Sequence, residues 1–331
     1  MTVKYDVLGI GNAIMDVIAP VDDTLLAREN IRKSGMTLID EKRALHLHRV
    51  FGAHANGARA NLQETAGGSG ANTMAGIAAL GVRAAYIGKV ADDALGAGFT
   101  DSMRSIGVET CTLPLSSAVA ATARCLIAVT PDGERSMSTF LGANTAFGVN
   151  DVDEELVRAS AVIYMEGYLF DTDAQKAAFV KAAEVATAAG RQVSLTLSDA
   201  FCVDRHRTSF KHLVDNHVDI LFANEDELLS LYETKNFGAA ISALRASGTL
   251  ACVTRGEIGS VIIENNTVYE IAIVPVAKVI DTTGAGDLYA AGVLAGRAQG
   301  MSWADAGYLG SHCASEIISH YGAKPEKDLP P

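Results

Sequence analysis

From about residue 150 onward the chain repeats one rhythm, a short apolar run followed by a helical stretch and then another apolar run. The runs fall at 161–165, 192–197, 220–223, 250–254 and 261–263, and the clearest helical stretches are 173–189, 225–232 and 238–247. Strands that alternate with helices pair in parallel, and a parallel sheet needs helices on both faces. The first half reads differently. Residues 7–10 form a buried-strand run ending at Gly11, whereas 16–21 and 36–39 alternate apolar and polar. Alternation returns at 121–129 and 136–141, on either side of the turn Pro131-Asp132-Gly133, which predicts a hairpin. Strands with one polar face fit a small sheet standing off the main layer as a lid. Further expectations are a helix and loop over 46–61, an Ala-rich helix over 73–80, a strand over 84–87 and a helix over 99–106.

A chain of 331 residues builds one large α/β domain or two ordinary ones. With 49% hydrophobic and 20% charged residues it is a folded globular protein. Its 27 Lys and Arg against 39 Asp and Glu give a net charge of −12, which excludes an electrostatic footprint for nucleic acid. No apolar stretch reaches the roughly 20 residues of a membrane span. Residues 1–6 lack the basic flank and apolar core of a signal peptide, and the five cysteines are scattered with no Cys-x-x-Cys spacing. A reduced, cytoplasmic protein is expected.

The chemistry concentrates in Asp281-Thr282-Thr283-Gly284-Ala285-Gly286-Asp287, which runs straight into the apolar, small-residue stretch 288–295. The small residues let the backbone turn tightly into a helix, whose first amides lack partners and attract phosphate. A carboxylate within such a cradle would repel the anion, unless Asp287 takes a proton from a hydroxyl attacking the phosphate. The alternative is ordinary helix capping. The usual nucleotide signatures are missing: there is no G-x-x-x-x-G-K-[ST] and no G-x-G-x-x-G, against a P-loop enzyme or a dinucleotide-binding oxidoreductase.

Over nearly its full length the chain resembles the ribokinase-type carbohydrate and nucleoside kinases, the PfkB superfamily. Four elements carry the likeness, in the family's order: Gly67-Gly68-x-x-x-Asn72, Asn224-x-x-Glu227, the strand-turn Val253-Thr254-Arg255-Gly256-Glu257-Ile258-Gly259, and Asp281 to Asp287. The resemblance implies a ribokinase-like fold: a central, mostly parallel sheet with helices on both faces plus a small β-sheet lid. The large α/β domain would comprise about 1–12, 68–118 and 143–331, with the lid from about 13–67 and 119–142. It implies ATP and Mg²⁺ as cofactors and, as in many relatives, K⁺. Asp287 would be the catalytic base, Gly284, Ala285 and Gly286 the anion hole, and Arg135 a lid arginine that swings toward the phosphates. Asp16 and Asn72 would bind sugar hydroxyls, with Gly68 admitting substrate to the backbone. Asn224, Thr254, Gly256 and Gly259 would line the ATP side, Glu227 would organise Mg²⁺ largely through water, and Asp281 with Thr283 would hold K⁺. His46 and His48 share an H-x-H spacing without a third ligand and read as helix-surface residues.

Within the superfamily the stretches 9–16, 195–201 and 218–225 are most similar to adenosine kinase-like members, on which Asn12 and Ser69 would face the base. One departure stands out. Where such members commonly carry an aromatic pair to sandwich the purine, this chain has Gly167-Tyr168-Leu169-Phe170. The expected reaction is phosphorylation of the 5′-hydroxyl of a ribonucleoside, adenosine to AMP foremost. Inosine, guanosine, fructose and ribose stay open as acceptors, and a monomer and a homodimer both remain open.

Overall fold

A computed structural model describes residues 2–57, 62–325 and 329. The larger of its two sheets starts with β1 (Tyr5–Ile10), flanked by β5 (Ala84–Ile87) and β6 (Glu109–Thr110) on one side. On the other side follow β9 (Ser160–Glu166), β10 (Gln192–Thr196), β11 (Ile220–Asn224) and β12 (Leu250–Thr254), all parallel. Only the far edge, β13 (Ser260–Glu264) and β14 (Thr267–Ile271), runs antiparallel.

Successive strand residues feed opposite faces. On β11, Leu221 and Ala223 join α5 (Glu154–Arg158), α6 (Asp173–Ala188), α7 (Ala200–Asn216), α8 (Glu225–Leu231) and α9 (Phe237–Ser247) in one core. Ile220 and Phe222 join the other, with α3 (Ser69–Ala79), α4 (Ala94–Ser105), α10 (Ala285–Ala298) and α11 (Trp303–Ile317). This is the doubly covered parallel sheet that the strand–helix rhythm predicts. Among the described residues no helix is long and apolar enough to cross a membrane.

The second sheet has five strands, in the order β3 (Met36–Leu38), β8 (Arg135–Phe140), β7 (Ala123–Val129), β2 (Ile14–Pro20) and β4 (Gln63–Gly67). One face is sealed by α1 (Asp23–Arg28) and α2 (Glu41–Gly57) through a separate core that includes Val17, Leu25, Leu47, Phe51 and Leu126. The alternate residues Ile14, Asp16, Ile18 and Ile127 face a cleft against the large sheet.

Several elements depart from the sequence reading. The helix expected at 73–80 begins at Ser69, with Gly68 at its N-cap, so Asn72 lies inside its first turn. The helix expected from 99 begins at Ala94, because Asp93 caps it through the Gly96 N–H. The segment expected as helix and loop over 46–61 is helical from Glu41 to Gly57, and 58–61 lie outside the described residues. Strands β4 and β14 and helices α7 and α11 carry no apolar periodicity strong enough to announce them; β4, for instance, reads Gln-Glu-Thr-Ala-Gly.

Candidate active site

The cleft has a volume of about 1510 Å³ and lies between the second sheet and the carboxyl ends of the parallel strands, where α/β sheets bind ligands. Asn12 follows β1, Glu166 ends β9, Asn224 ends β11 and Thr254 ends β12, so four strand ends deliver polar side chains to one wall. Of the residues singled out in the sequence, the cleft brings together Asn12, Asp16, Gly68, Ser69, Asn72, Arg135, Asn224, Glu227, Thr254, Gly256, Thr283, Gly284, Ala285, Gly286 and Asp287. Two do not line it. Gly259 sits in the turn into β13, where a Cβ would stand 2.2 Å from the Ile271 carbonyl oxygen. Asp281 is tucked behind the loop.

Asp287 stands in the first turn of α10, whose N-cap Gly284 takes the left-handed conformation (φ +81°, ψ 0°). Its Oδ1 accepts the Ser69 hydroxyl at 2.6 Å and its Oδ2 accepts the Asn72 amide at 3.1 Å. Ser69 therefore meets the carboxylate directly. Both donors come from α3, which crosses beside α10, so two helix starts fix one side chain. Burial pushes the carboxyl up to about 6, with the two hydrogen bonds pulling the other way. The Ala285 N–H turns back onto the Thr282 carbonyl (3.2 Å). Gly286 and Asp287 follow it in a turn whose amides have no intrahelical carbonyl to bond.

Asn224 and Glu227 form a reciprocal cap at the start of α8. Asn224 Oδ1 accepts the Glu227 N–H at 2.8 Å, and the Glu227 carboxylate accepts the Asn224 N–H at 3.0 Å and its side-chain amide at 2.6 Å. Glu227 thus caps its helix and also reaches the cleft. Burial raises it to about 7. A dry carboxylate at a cleft edge suits a hard cation such as Mg²⁺. Among the described residues no three His, Cys, Asp or Glu converge into a metal cage, so such a cation would complete its shell with water and phosphate oxygens.

Arg135, on β8, pairs with Asp281, whose carboxylate also accepts the N–H groups of Thr283 (3.0 Å) and Gly322 (3.1 Å). Burial alone would raise Asp281, yet these partners hold it below the usual carboxylate range. Among the described residues the buried Arg135 Nε has no hydrogen-bond partner. His46 and His48 go to carboxylates, pairing with Glu29 at 2.8 Å and Glu64 at 2.9 Å. Of the aromatic run, Tyr168 lines the cleft, whereas Leu169 and Phe170 are buried in the core, Phe170 against Phe210 at 4.7 Å.

Sequence reasoning missed Glu166. It is 1% exposed, and its Oε2 accepts the backbone N–H groups of Asn12 (3.0 Å) and Gly70 (2.9 Å). Its Oε1 also accepts the Asn12 side-chain amide at 3.4 Å, which fixes the orientation of that side chain. The available signal was a lone carboxylate ending an apolar strand run, just before Gly167. Glu166→Leu strands two buried amides and should destabilise the protein by roughly 2–4 kcal/mol, with Glu166→Gln costing roughly 1 kcal/mol. Urea denaturation measures both; a Leu variant within that smaller figure of wild type would show that the amides need no acceptor. Burial raises Glu166 from 4.5 to about 7, so its stabilising contribution is complete below about pH 4.5 and is lost as pH rises through 7.

The chain as a whole is similar to known proteins. Adenosine kinase from Sinorhizobium meliloti superposes with a TM-score of 0.87 at 46% identity, covering 98% of this chain and 97% of that one. A probable sugar kinase protein from Rhizobium etli CFN 42 superposes at 0.88 with 44% identity, covering 99% and 97%. Adenosine kinase 2 of Arabidopsis thaliana is 24% identical over 348 residues, 98% of this chain and 97% of that protein. Residues 7–328 match the family described as pfkB family carbohydrate kinase. The chain is therefore a phosphotransferase with a hydroxyl acceptor and belongs to the pfkB family of carbohydrate kinases.

Proposed function

We propose that the protein phosphorylates the primary 5′-hydroxyl of a ribonucleoside from ATP, with adenosine as the principal acceptor and AMP as product. The observation that carries the nucleoside reading is the apolar cleft face of the second sheet. Ile14, Ile18, Ile127 and Met137 line it, and Met36 and Leu38 on the adjoining edge strand are about half exposed, at 48% and 50%. A purine ring covers such a surface; a free pentose or hexose leaves it wet. Tyr168 is the single ring of its run able to stack, so an aliphatic wall replaces the second aromatic.

In this reading Asp287 removes the proton from the 5′-hydroxyl as its oxygen attacks the γ-phosphorus. The O5′–P bond forms, the bond to the β-phosphate oxygen breaks, and its electron pair leaves with ADP. The first-turn amides of α10 stabilise the charge on the transferred group. Asp16 and Asn72 orient the ribose diol, with Gly68 bringing backbone close to it. Gly68 holds φ +96°, and a Cβ there would stand 2.4 Å from the Asn12 carbonyl. Asn224, Thr254 and Gly256 line the ATP side. Glu227 would hold Mg²⁺, largely through water, and the cation supplies charge neutralisation on the phosphates. K⁺ at Asp281 and Thr283 would share the Asp281 carboxylate with Arg135. The second sheet with α1 and α2, about 13–67 and 119–142, acts as the lid that excludes water, and Arg135 travels with it. Because α1 and α2 already cover the lid's outer face, a monomer suffices.

A coupled ADP-release screen with adenosine, inosine, guanosine, ribose and fructose tests this. Adenosine should give a kcat/KM at least about 100-fold above either free sugar, the effect of burying a ring of this size. Turnover confined to the sugars would end the nucleoside reading and favour a sugar kinase.

A further inference from the structure

Beyond α11, residues 321–325 run from the loop around Asp281 to the second sheet. The Gly322 N–H bonds Asp281 at 3.1 Å. The Ala323 methyl would lie 2.8 Å from a Cβ built on Gly284, and the Tyr321 hydroxyl abuts Gly133 in the hairpin turn. Lys324 then reaches across, and its ammonium donates to the Thr65 hydroxyl at 3.2 Å. Thr65 and Asp16 are directly opposed on β4 and β2, and both face the cleft. Opposed residues of an antiparallel pair have Cβ atoms about 5 Å apart, so a cation on Thr65 lies beside the Asp16 carboxylate.

We propose that Lys324 is a positioning residue of the acceptor subsite, pairing with Asp16 and fixing that carboxylate to accept hydrogen bonds from the acceptor's vicinal diol. This rests on the acceptor site assigned above and adds a group from a distant segment. The charged groups facing Asp16 are Lys324, Arg135 of β8 and Asp287 of α10, with the Cys125 thiol opposite on β7. Arg135 is already paired with Asp281, whereas Lys324 has no carboxylate partner in an ion pair among the described residues. Burial raises Asp16 to about 6, and the two cations oppose that rise. Loss of Lys324 therefore moves the acid limb of acceptor binding to higher pH.

The test compares Lys324→Met and Lys324→Arg with wild type, using adenosine and 2′,3′-dideoxyadenosine as acceptors. Lys324→Met should raise the adenosine KM about 10-fold or more, as expected for losing a charge-assisted contact, with kcat and the ATP KM within about 3-fold. Lys324→Arg should recover most of the loss. The dideoxy analogue lacks the diol, so its KM should be unchanged by Lys324→Met, a result that general loosening of the lid would not give. Equal KM increases for both acceptors, or an unchanged adenosine KM with an unshifted pH profile, overturns the proposal. Should wild type use only a free sugar, the nucleoside reading fails separately. The same variants are then read on that sugar's KM, where a change below about 2-fold overturns the role of Lys324 by itself.

Discussion

Asp287→Asn should lower kcat by about 10³-fold, within the range attributed to a positioned general base, while leaving acceptor binding within about 3-fold of wild type. The substitution keeps shape, and the Ser69 hydroxyl and Asn72 amide can both re-pair with an amide. Only the proton-accepting capacity is lost. The pH profile carries a second signature. Because burial holds Asp287 near 6, wild-type kcat/KM should fall at least tenfold per unit below about pH 6, whereas an exposed carboxylate would hold activity to about pH 4. Stability moves the other way. A carboxyl raised in the folded state stabilises the fold fully below about pH 4, and that contribution is lost as pH rises through 6. The ionised group thus opposes folding at pH 8 by up to about 3 kcal/mol, so Asp287→Asn should melt at the same temperature or a few degrees higher. An Asn variant that turns over within tenfold of wild type would remove Asp287 from the chemistry.

That trade explains which parts of this protein are legible in its sequence. Periodicity identified the parallel sheet because buried strands such as 220–223 must be apolar on both faces, and the same demand separates Leu221 from Phe222 into different cores. The residues that violate local rules marked the site. Asp287 sits where an anion-binding turn should avoid acid, and Gly68 and Gly284 occupy backbone conformations that side chains resist. Such exceptions persist where they serve a site. Partnership was illegible. Ser69 bonds Asp287 across 218 residues of sequence, and Lys324 reaches Thr65 across 259. No local pattern encodes a contact of that span. Glu166 was hidden for a related reason, since its partners are backbone amides of two other segments, which leave no mark on residue identity. Arg135 stood out beside the hairpin turn, but its partner Asp281 emerged only from the packing of β8 against the loop that leads into α10.

Gly284→Val should cost kcat about 100-fold or more and also lower the melting temperature. Gly284 holds φ +81°, a region that strains a β-branched residue by about 1–3 kcal/mol, and its Cβ would press on Ala323 at 2.8 Å. Relief requires the loop to shift, and it carries the amides of Gly286 and Asp287 with it. Misplacing one such donor is worth about 10²–10³ in rate. Acceptor binding should change less than kcat does, because Asp16 and Asn72 sit on other elements and pressure on Ala323 reaches the acceptor only through Lys324. Gly286→Ala separates the two effects. A Cβ there meets nothing within 4 Å, so the fold should be untouched and the melting temperature unchanged. The open space faces the cleft, however, where the transferred phosphoryl oxygens are expected, so kcat should still fall by about tenfold. Steady-state kinetics and thermal melts on both variants decide the matter. Full turnover in Gly286→Ala would mean that the phosphoryl group does not approach this turn, and wild-type kinetics in Gly284→Val would mean that the turn does not position it.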